Sequence, residues 1–128
     1  MPLMHAHGKA VAMHADNDTS LILDLLERAG YDMLECFVTA PMVPLTLARA
    51  REILGNRVIL YGGLPSLTFS PSFDEQSFRE YVYQMLDIIA PGDAFVLGVA
   101  DNVMPDSLIE RVAWASEVVQ ERGQYPIT

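Results

Sequence analysis

A single cysteine, Cys36, leaves this chain unable to form an intrachain disulfide, so nothing in its cysteine usage favours an oxidising compartment. Positive charge is also scarce. Eight Lys and Arg stand against seventeen Asp and Glu, a net charge of -9 that repels a phosphate backbone and disfavours nucleic acid as a partner. The apolar runs are too short to span a bilayer. The first residues lack the charged start, apolar centre and small-residue cleavage site of a secretory signal. A soluble, cytoplasmic protein without membrane partners is expected. No G-x-G-x-x-G follows the first apolar segment, so the usual signature of a dinucleotide-binding sheet is missing.

What the 128 residues do contain is core-forming material for one domain, residues 1–128, with 51% hydrophobic and 20% charged residues. That material is arranged as a pattern repeated four times. Lys9 to His14 reads as a strand, Ala15 to Thr19 as a polar loop, and Ser20 to Ala29 as a helix with a Leu21, Ile22, Leu25, Leu26 stripe closed by Gly30. Met33 to Phe37 is the second strand, followed by a helix from Pro44 to Leu54 that closes at Gly55. Val58 to Tyr61 is the third, leading through a Gly/Pro/Ser-rich connection to a helix over about Phe73 to Ile89. There Ser72 and Glu75 have capping-box spacing, and Phe78, Val82, Met85 and Ile89 form the apolar face. The fourth strand is Ala94 to Val99, and its helix runs from about Ser107 to Glu121 with Leu108, Val112, Ala115 and Val119 as its stripe.

Apolar strands separated by helices indicate a parallel sheet in an α/β fold. Either an open doubly wound sheet or part of a closed barrel fits. A complete (β/α)8 barrel needs eight such units and about 250 residues. Four consecutive βα units are therefore half of a TIM-type barrel, whose open edges and apolar inner face call for a second half or for self-association. The opening MPLMHAHG reads either as the tail of a preceding helix or as a short disordered leader.

Ligands of parallel βα folds bind where the strands end. After the first strand come His14, Asp16, Asn17 and Asp18; the second contributes Glu35, Cys36 and Thr39; the third Gly62, Gly63 and Ser66; the fourth Asp101, Asn102 and Asp106. His14, Asp16 and Asp101 are candidate ligands of a divalent metal such as zinc, with Glu35 as a further ligand or general base. The plainer alternative has His14 hydrogen-bonded in the rim and Asp16 or Asp18 capping a helix. Asp101 is a second candidate catalytic carboxylate. Asn17, Gly62, Gly63 and Asn102 are candidate contacts for a small-molecule substrate, the glycines serving otherwise a tight turn. Cys36 could be a nucleophile or ligand, but a lone cysteine in an apolar strand reads first as a small buried hydrophobe; strict alternation then puts Glu35 on the opposite face, pointing inward or, more plainly, reaching solvent at the strand end. His5 and His7 lie at the opposite end and are expected to be solvated. Asp106 reads as part of a helix start.

The segments His14-Ala-Asp-Asn-Asp18, Gly30-Tyr-Asp32, Arg57 to Gly63, Gly92 to Gly98, Asp101 to Asp106 and Gly123-Gln-Tyr-Pro126 together resemble the C-terminal half of the uroporphyrinogen decarboxylase superfamily. The resemblance covers nearly the whole chain in order. It implies a (β/α)8 barrel and one of two activities: decarboxylation in porphyrin and haem biosynthesis, or zinc-dependent methyl transfer with corrinoid proteins and thiols. In the methyltransferase branch the first of these strands ends in H-x-C and a second cysteine follows the last, and these bind zinc. His14, Asp16 and Asp101 stand at the similar positions here, which keeps the imidazole and replaces both thiolates by carboxylates, favouring a harder metal. In the decarboxylase branch the position similar to Asp101 is a histidine, and its absence counts against porphyrinogen decarboxylation. The resemblance thus implies metal-assisted methyl transfer, with a corrinoid carried by a partner protein, ahead of decarboxylation or of a non-catalytic half-barrel.

Overall fold

The computed structural model describes residues 1–128 as one four-stranded parallel sheet with helices packed on it. A short helix α1 (Pro2–Ala6) precedes strand β1 (Ala12–His14), helix α2 (Leu23–Ala29), strand β2 (Met33–Phe37), helix α3 (Leu47–Leu54) and strand β3 (Ile59–Pro65). A 3-10 turn (Ser66–Phe69) then leads to helix α4 (Glu75–Ile89), strand β4 (Phe95–Ala100) and helix α5 (Ile109–Arg122). The strands lie in chain order, β1-β2-β3-β4, each parallel to the next.

That order decides the layering. Right-handed crossovers that always step the same way put every connecting helix on the same side of the sheet. Contacts of α2 with α3 and of α3 with α4 agree with this. A core of 21 buried residues, including Leu34, Phe37, Leu60, Phe69, Phe78 and Val82, fills the space beneath the helices. The other face is bare. Met33 and Ile59 are half-buried on it, and Tyr61 and Val96 are 36% and 40% exposed. The α/β fold of four parallel βα units is the one anticipated; the sheet is open, with free edges at β1 and β4.

Several local readings change. The tail-like opening does form a helix, α1, and His5 at its end is paired with Asp32 (Nε2 to Oδ2, 2.9 Å) rather than simply solvated, while His7 Nδ1 bonds to the Leu3 carbonyl. Helix α2 starts at Leu23 after a turn, so Leu23 and Leu26 face the core while Leu21 and Leu25 are exposed. Thr46, two residues past Pro44, caps α3 by accepting from the Arg49 N–H at 3.1 Å. Asp74, not Ser72, caps α4, accepting from the Ser77 N–H at 2.8 Å; Ser72 bonds instead to Ser70. Glu75 is freed from a capping box and pairs with Arg79 and Arg111. In α5 the deeply buried positions are Arg111, Ala115 and Val118, with Val112 packed against the core.

Arg111 is the one buried cation. Its guanidinium donates to the carbonyls of Thr68, Ser70 and Phe73 and to Glu75, and lies 5.2 Å from the Phe78 ring centre. It ties α5 to the chain between β3 and α4, supplying a donor to the Thr68 and Phe73 carbonyls and a second one to the Ser70 carbonyl, which also accepts from the Phe73 N–H at 3.0 Å.

Candidate functional site

The C-terminal ends of β1, β2 and β4 bring the chemistry together. His14 closes β1 and lies directly opposite Glu35 in the parallel register, and its Nδ1 is 2.5 Å from Glu35 Oε2. Asp16 follows after the turn, with its Oδ2 3.7 Å from His14 Nε2. Both ring nitrogens of His14 therefore face carboxylates. Its pKa is raised from the ordinary value, first by the hydrogen bond to Glu35 and then by the charges of Glu35, Asp16 and Asp101, against a smaller opposing effect of desolvation by burial than that hydrogen bond.

Cys36 joins them because β2 does not alternate. Leu34 pairs with Leu60 and Phe37 with Gly62, so Glu35 and Cys36 together oppose the single residue Tyr61. Such a bulge rotates the strand, and Cys36 takes a left-handed φ of 56°, rare for a residue with a β-carbon. The expected placement of Glu35 and Cys36 on opposite faces is thereby undone: a ligand atom from each of His14, Glu35 and Cys36 lies within 4.8 Å of the others. The Cys36 Sγ accepts a hydrogen bond from the Asp101 N–H at 3.1 Å. Burial pushes the thiol pKa up; the Asp101 N–H opposes this, and the charges of Glu35, Asp101 and Asp16 add to it. The thiol therefore holds its proton more firmly than a free cysteine does, and a cation bound at the sulfur would favour its release.

The remaining sequence candidates fall around this trio. Asp101, at a left-handed φ of 63°, contributes its N–H to Cys36 and its charge to His14, and its Oδ1 accepts from Asn102 Nδ2 at 3.1 Å. Asn17 donates to Asp16 Oδ1 at 2.9 Å. Asp18 accepts from the Ser20 N–H at 3.0 Å, making a local turn rather than a helix cap. Gly62 and Gly63 lie inside β3, which runs on to Pro65, rather than in a turn after it. A β-carbon on Gly62 would meet the Phe37 carbonyl oxygen at 2.7 Å and one on Gly63 the Phe95 ring at 2.6 Å, so the close approach they allow is to the protein's own β2 and β4. Asp106 makes no cap for α5, whose N-cap residue is Leu108.

The anticipated ligand set was His14, Asp16 and Asp101, with Glu35 beside them. The convergent set is His14, Glu35 and Cys36. Imidazole nitrogen, carboxylate oxygen and sulfur are the three donor types that zinc accepts, so this trio fits a divalent metal of borderline softness. The surroundings suit a cation as well, since residues 15–20, 38–46, 62–74 and 101–108 contain no Lys or Arg. No helix of the structure is long and apolar enough to cross a membrane. Comparison with protein-family models and with curated proteins finds no match to the chain.

Proposed function

We propose that the chain is a C-terminal half-barrel of the uroporphyrinogen decarboxylase type, and that its strand-end trio holds a divalent metal, zinc by donor chemistry, for methyl transfer involving a thiol or a corrinoid-bearing partner protein. The observation that carries the reading is the convergence of His14, Glu35 and Cys36 at the ends of β1 and β2. A bound metal would act as a Lewis acid that lowers the pKa of a coordinated nucleophile. The chain's own residues supply the setting. Glu35 orients the His14 ring, the Asp101 N–H holds the Cys36 sulfur, and Asp16 places negative charge beside His14 Nε2. Cys36 restores one sulfur to a ligand set that the H-x-D spacing had made all imidazole and carboxylate, which favours zinc over a harder ion. The absence of Lys and Arg from the strand-end segments weighs against the porphyrinogen decarboxylase alternative, whose polycarboxylate substrate needs positive charge.

The test is metal content of the purified full chain, loaded with zinc and desalted, with His14→Ala, Glu35→Gln and Cys36→Ser beside it. The reading expects stoichiometric zinc in the parent and loss of it in each variant. Equal metal in all four proteins would overturn it. Methyl transfer is then assayed from methylcobalamin to a small thiol.

A further inference from the structure

Helices α2 and α5 close the two ends of the helical layer, and each has one flank without a neighbouring helix. On α2 the flank towards α3 carries Glu27, paired with Arg57, and the opposite flank presents Ile22, Leu26 and Ala29 at helical spacing. On α5 the flank towards α4 carries Trp114, which meets Phe78 and Tyr83 edge-on, and the opposite flank presents Ile109, Val112, Ser116 and Val119. Neither free flank has a charge, although Asp24, Arg28, Glu110 and Glu117 stand elsewhere on the same helices. Ile22 and Ile109 are 39% and 66% exposed. Between β4 and α5 lies an apolar groove of about 380 Å³, lined by Leu97, Val99, Val112 and Val119 among others. At the other end of the strands the two edges carry opposite charges. Lys9, the only lysine, is exposed ahead of β1, Asp93 is exposed ahead of β4, and neither side chain is in an ion pair within the chain.

We propose that a second copy of this chain docks on both free edges at once, in one parallel register that sets Val99 beside the partner's Met13 and Ala100 beside the partner's His14. Met13 stands level with Leu34, Leu60 and Phe95 across the sheet. A closed eight-strand barrel of this kind has a shear of about eight residues, so two identical halves each supply a stagger of about four. Moving that far back along β1 puts Phe95 opposite the partner's Lys9 and gives the two pairs just named. The opposite step would pair β4 with the loop beyond β1. Ala100 and His14 are the last residues of their strands, so in this register the strand ends meet without overhang. Val99 and Met13 both pack towards the helices, so side-chain alternation is kept and the partner's Met13 enters the groove beneath α5. The free flank of α5 then meets that of the partner's α2, apolar against apolar, and the partner's Lys9 comes within two residues of Asp93. The same register sets the partner's Asp101 next to His14, so each metal trio gains a carboxylate from across the seam. That addition rests on the metal reading above; the docking does not.

The register is tested by disulfide bridging of the full chain carrying Cys36→Ser, which disables the trio and removes the one competing thiol. Neighbouring strands lie about 4.8 Å apart, within disulfide reach, whereas positions 13 and 99 of one chain are three strands apart, more than about 7 Å, so any bridge between them joins two chains. Met13→Cys with Val99→Cys is expected to give a covalent dimer at least about tenfold more efficiently than Val11→Cys with Val99→Cys, which keeps the face and shifts the register by two. Equal bridging by the two pairs, or bridging by neither, overturns the proposal. Ser116→Arg, on the exposed free flank of α5, provides a second measurement without engineered thiols. It is expected to weaken pairing at least about tenfold in sedimentation with an unchanged circular dichroism spectrum, and a variant that pairs as the parent does overturns the docking. Zinc affinity separates the two readings. Equal affinity in the parent and in Ser116→Arg removes the partner's Asp101 from the site, and no zinc in either sinks the trio while the bridging result stands.

Discussion

The sulfur of Cys36 accepts a hydrogen bond at 3.1 Å from the backbone N–H of Asp101, although 65 residues separate them in the chain. This one bond joins the bulge of β2 to the end of β4 across the intervening β3. It acts at two left-handed residues whose conformations are each unfavourable without outside support. A strained pair held by one another at the ligand end of a sheet is the kind of arrangement that a site maintains and a core does not.

Cys36→Ser keeps a donor atom at that position but exchanges sulfur for a harder, shorter group. Its zinc affinity should fall at least about tenfold. With cobalt in place of zinc, the thiolate charge-transfer band should be present in the parent and absent in the variant. A band of equal strength in both would exclude Cys36 as a ligand.

Gly62 makes the bulge possible, because any β-carbon there would press on the Phe37 carbonyl oxygen at 2.7 Å and because its φ is 156°. Gly62→Ala should destabilise the protein by about 2 kcal/mol, within the usual range for forced overpacking, as measured by denaturant unfolding. It should also weaken cobalt charge transfer at Cys36, which a purely global loss of stability would not do in the folded fraction. Gly92→Ala, whose β-carbon would strike the Tyr125 ring, serves as the comparison away from the bulge.

These residues mark where the sequence was readable. The four βα units could be read from apolar periodicity and from Gly30 and Gly55, since a packed parallel sheet leaves that pattern in every unit. His14 and Glu35 were legible as strand-end polar groups. Cys36 is buried, as its place in an apolar strand suggests, but its meeting with Glu35 was not legible, because period-2 alternation sends the two to opposite faces and only the two-against-one pairing opposite Tyr61 brings both to one side. Nothing local in MLECF announces a bulge; its cause lies in β3, where Gly62 lets the backbone of Phe37 come close. The cap of α4 was misplaced for a smaller reason. Ser72 and Asp74 both precede the helix, and the structure gives the N-cap to the residue next to Glu75.

Arg111 should behave as a structural cation. Replacing it by Leu leaves the buried Thr68 carbonyl and the part-buried Phe73 carbonyl without this donor, at roughly 1–3 kcal/mol for an unsatisfied buried group, while the Ser70 carbonyl keeps the Phe73 N–H. We expect Arg111→Leu to lose about 3 kcal/mol in urea unfolding, and Arg111→Lys to recover only part of it because a single ammonium cannot reach all the acceptors. A loss below about 0.5 kcal/mol would contradict the role.

Acid should loosen the join between α1 and the sheet. Asp32 accepts from the Val11 N–H at 2.7 Å and from His5, and the backbone bond first, then His5, hold its pKa below the ordinary 3.8. A carboxylate whose folded pKa is depressed contributes stability that is present above the unfolded value and disappears as pH falls through the folded one. The melting temperature should therefore drop below about pH 4, and Asp32→Asn should flatten that part of the profile. An unchanged acid limb in the variant would assign the loss to other carboxylates, of which Glu75, bonded to Arg79 and Arg111, is the next to replace.

The bare side of the sheet leads to the last prediction. All connecting helices lie on one face, so Tyr61 and Val96, paired in register, stand in water on the other, and the backbones of β1 and β4 end the sheet with unpaired groups. Eight parallel strands close a barrel, and this chain has four. A two-fold pair of chains, with β4 of each beside β1 of the other, would satisfy both edges and enclose both bare faces. In the absence of a complementing half, the isolated chain is therefore predicted to self-associate. Sedimentation velocity should show species heavier than 14.2 kDa. Because each copy carries a charge of -9, association should tighten as added salt screens the repulsion. Val96→Lys places a charge on the face that must be buried and should shift the population to monomer without unfolding it. A parent chain that sediments as a monomer at every concentration and salt level would show that the bare face stays in water and that pairing of half-barrels is not how this sheet is completed.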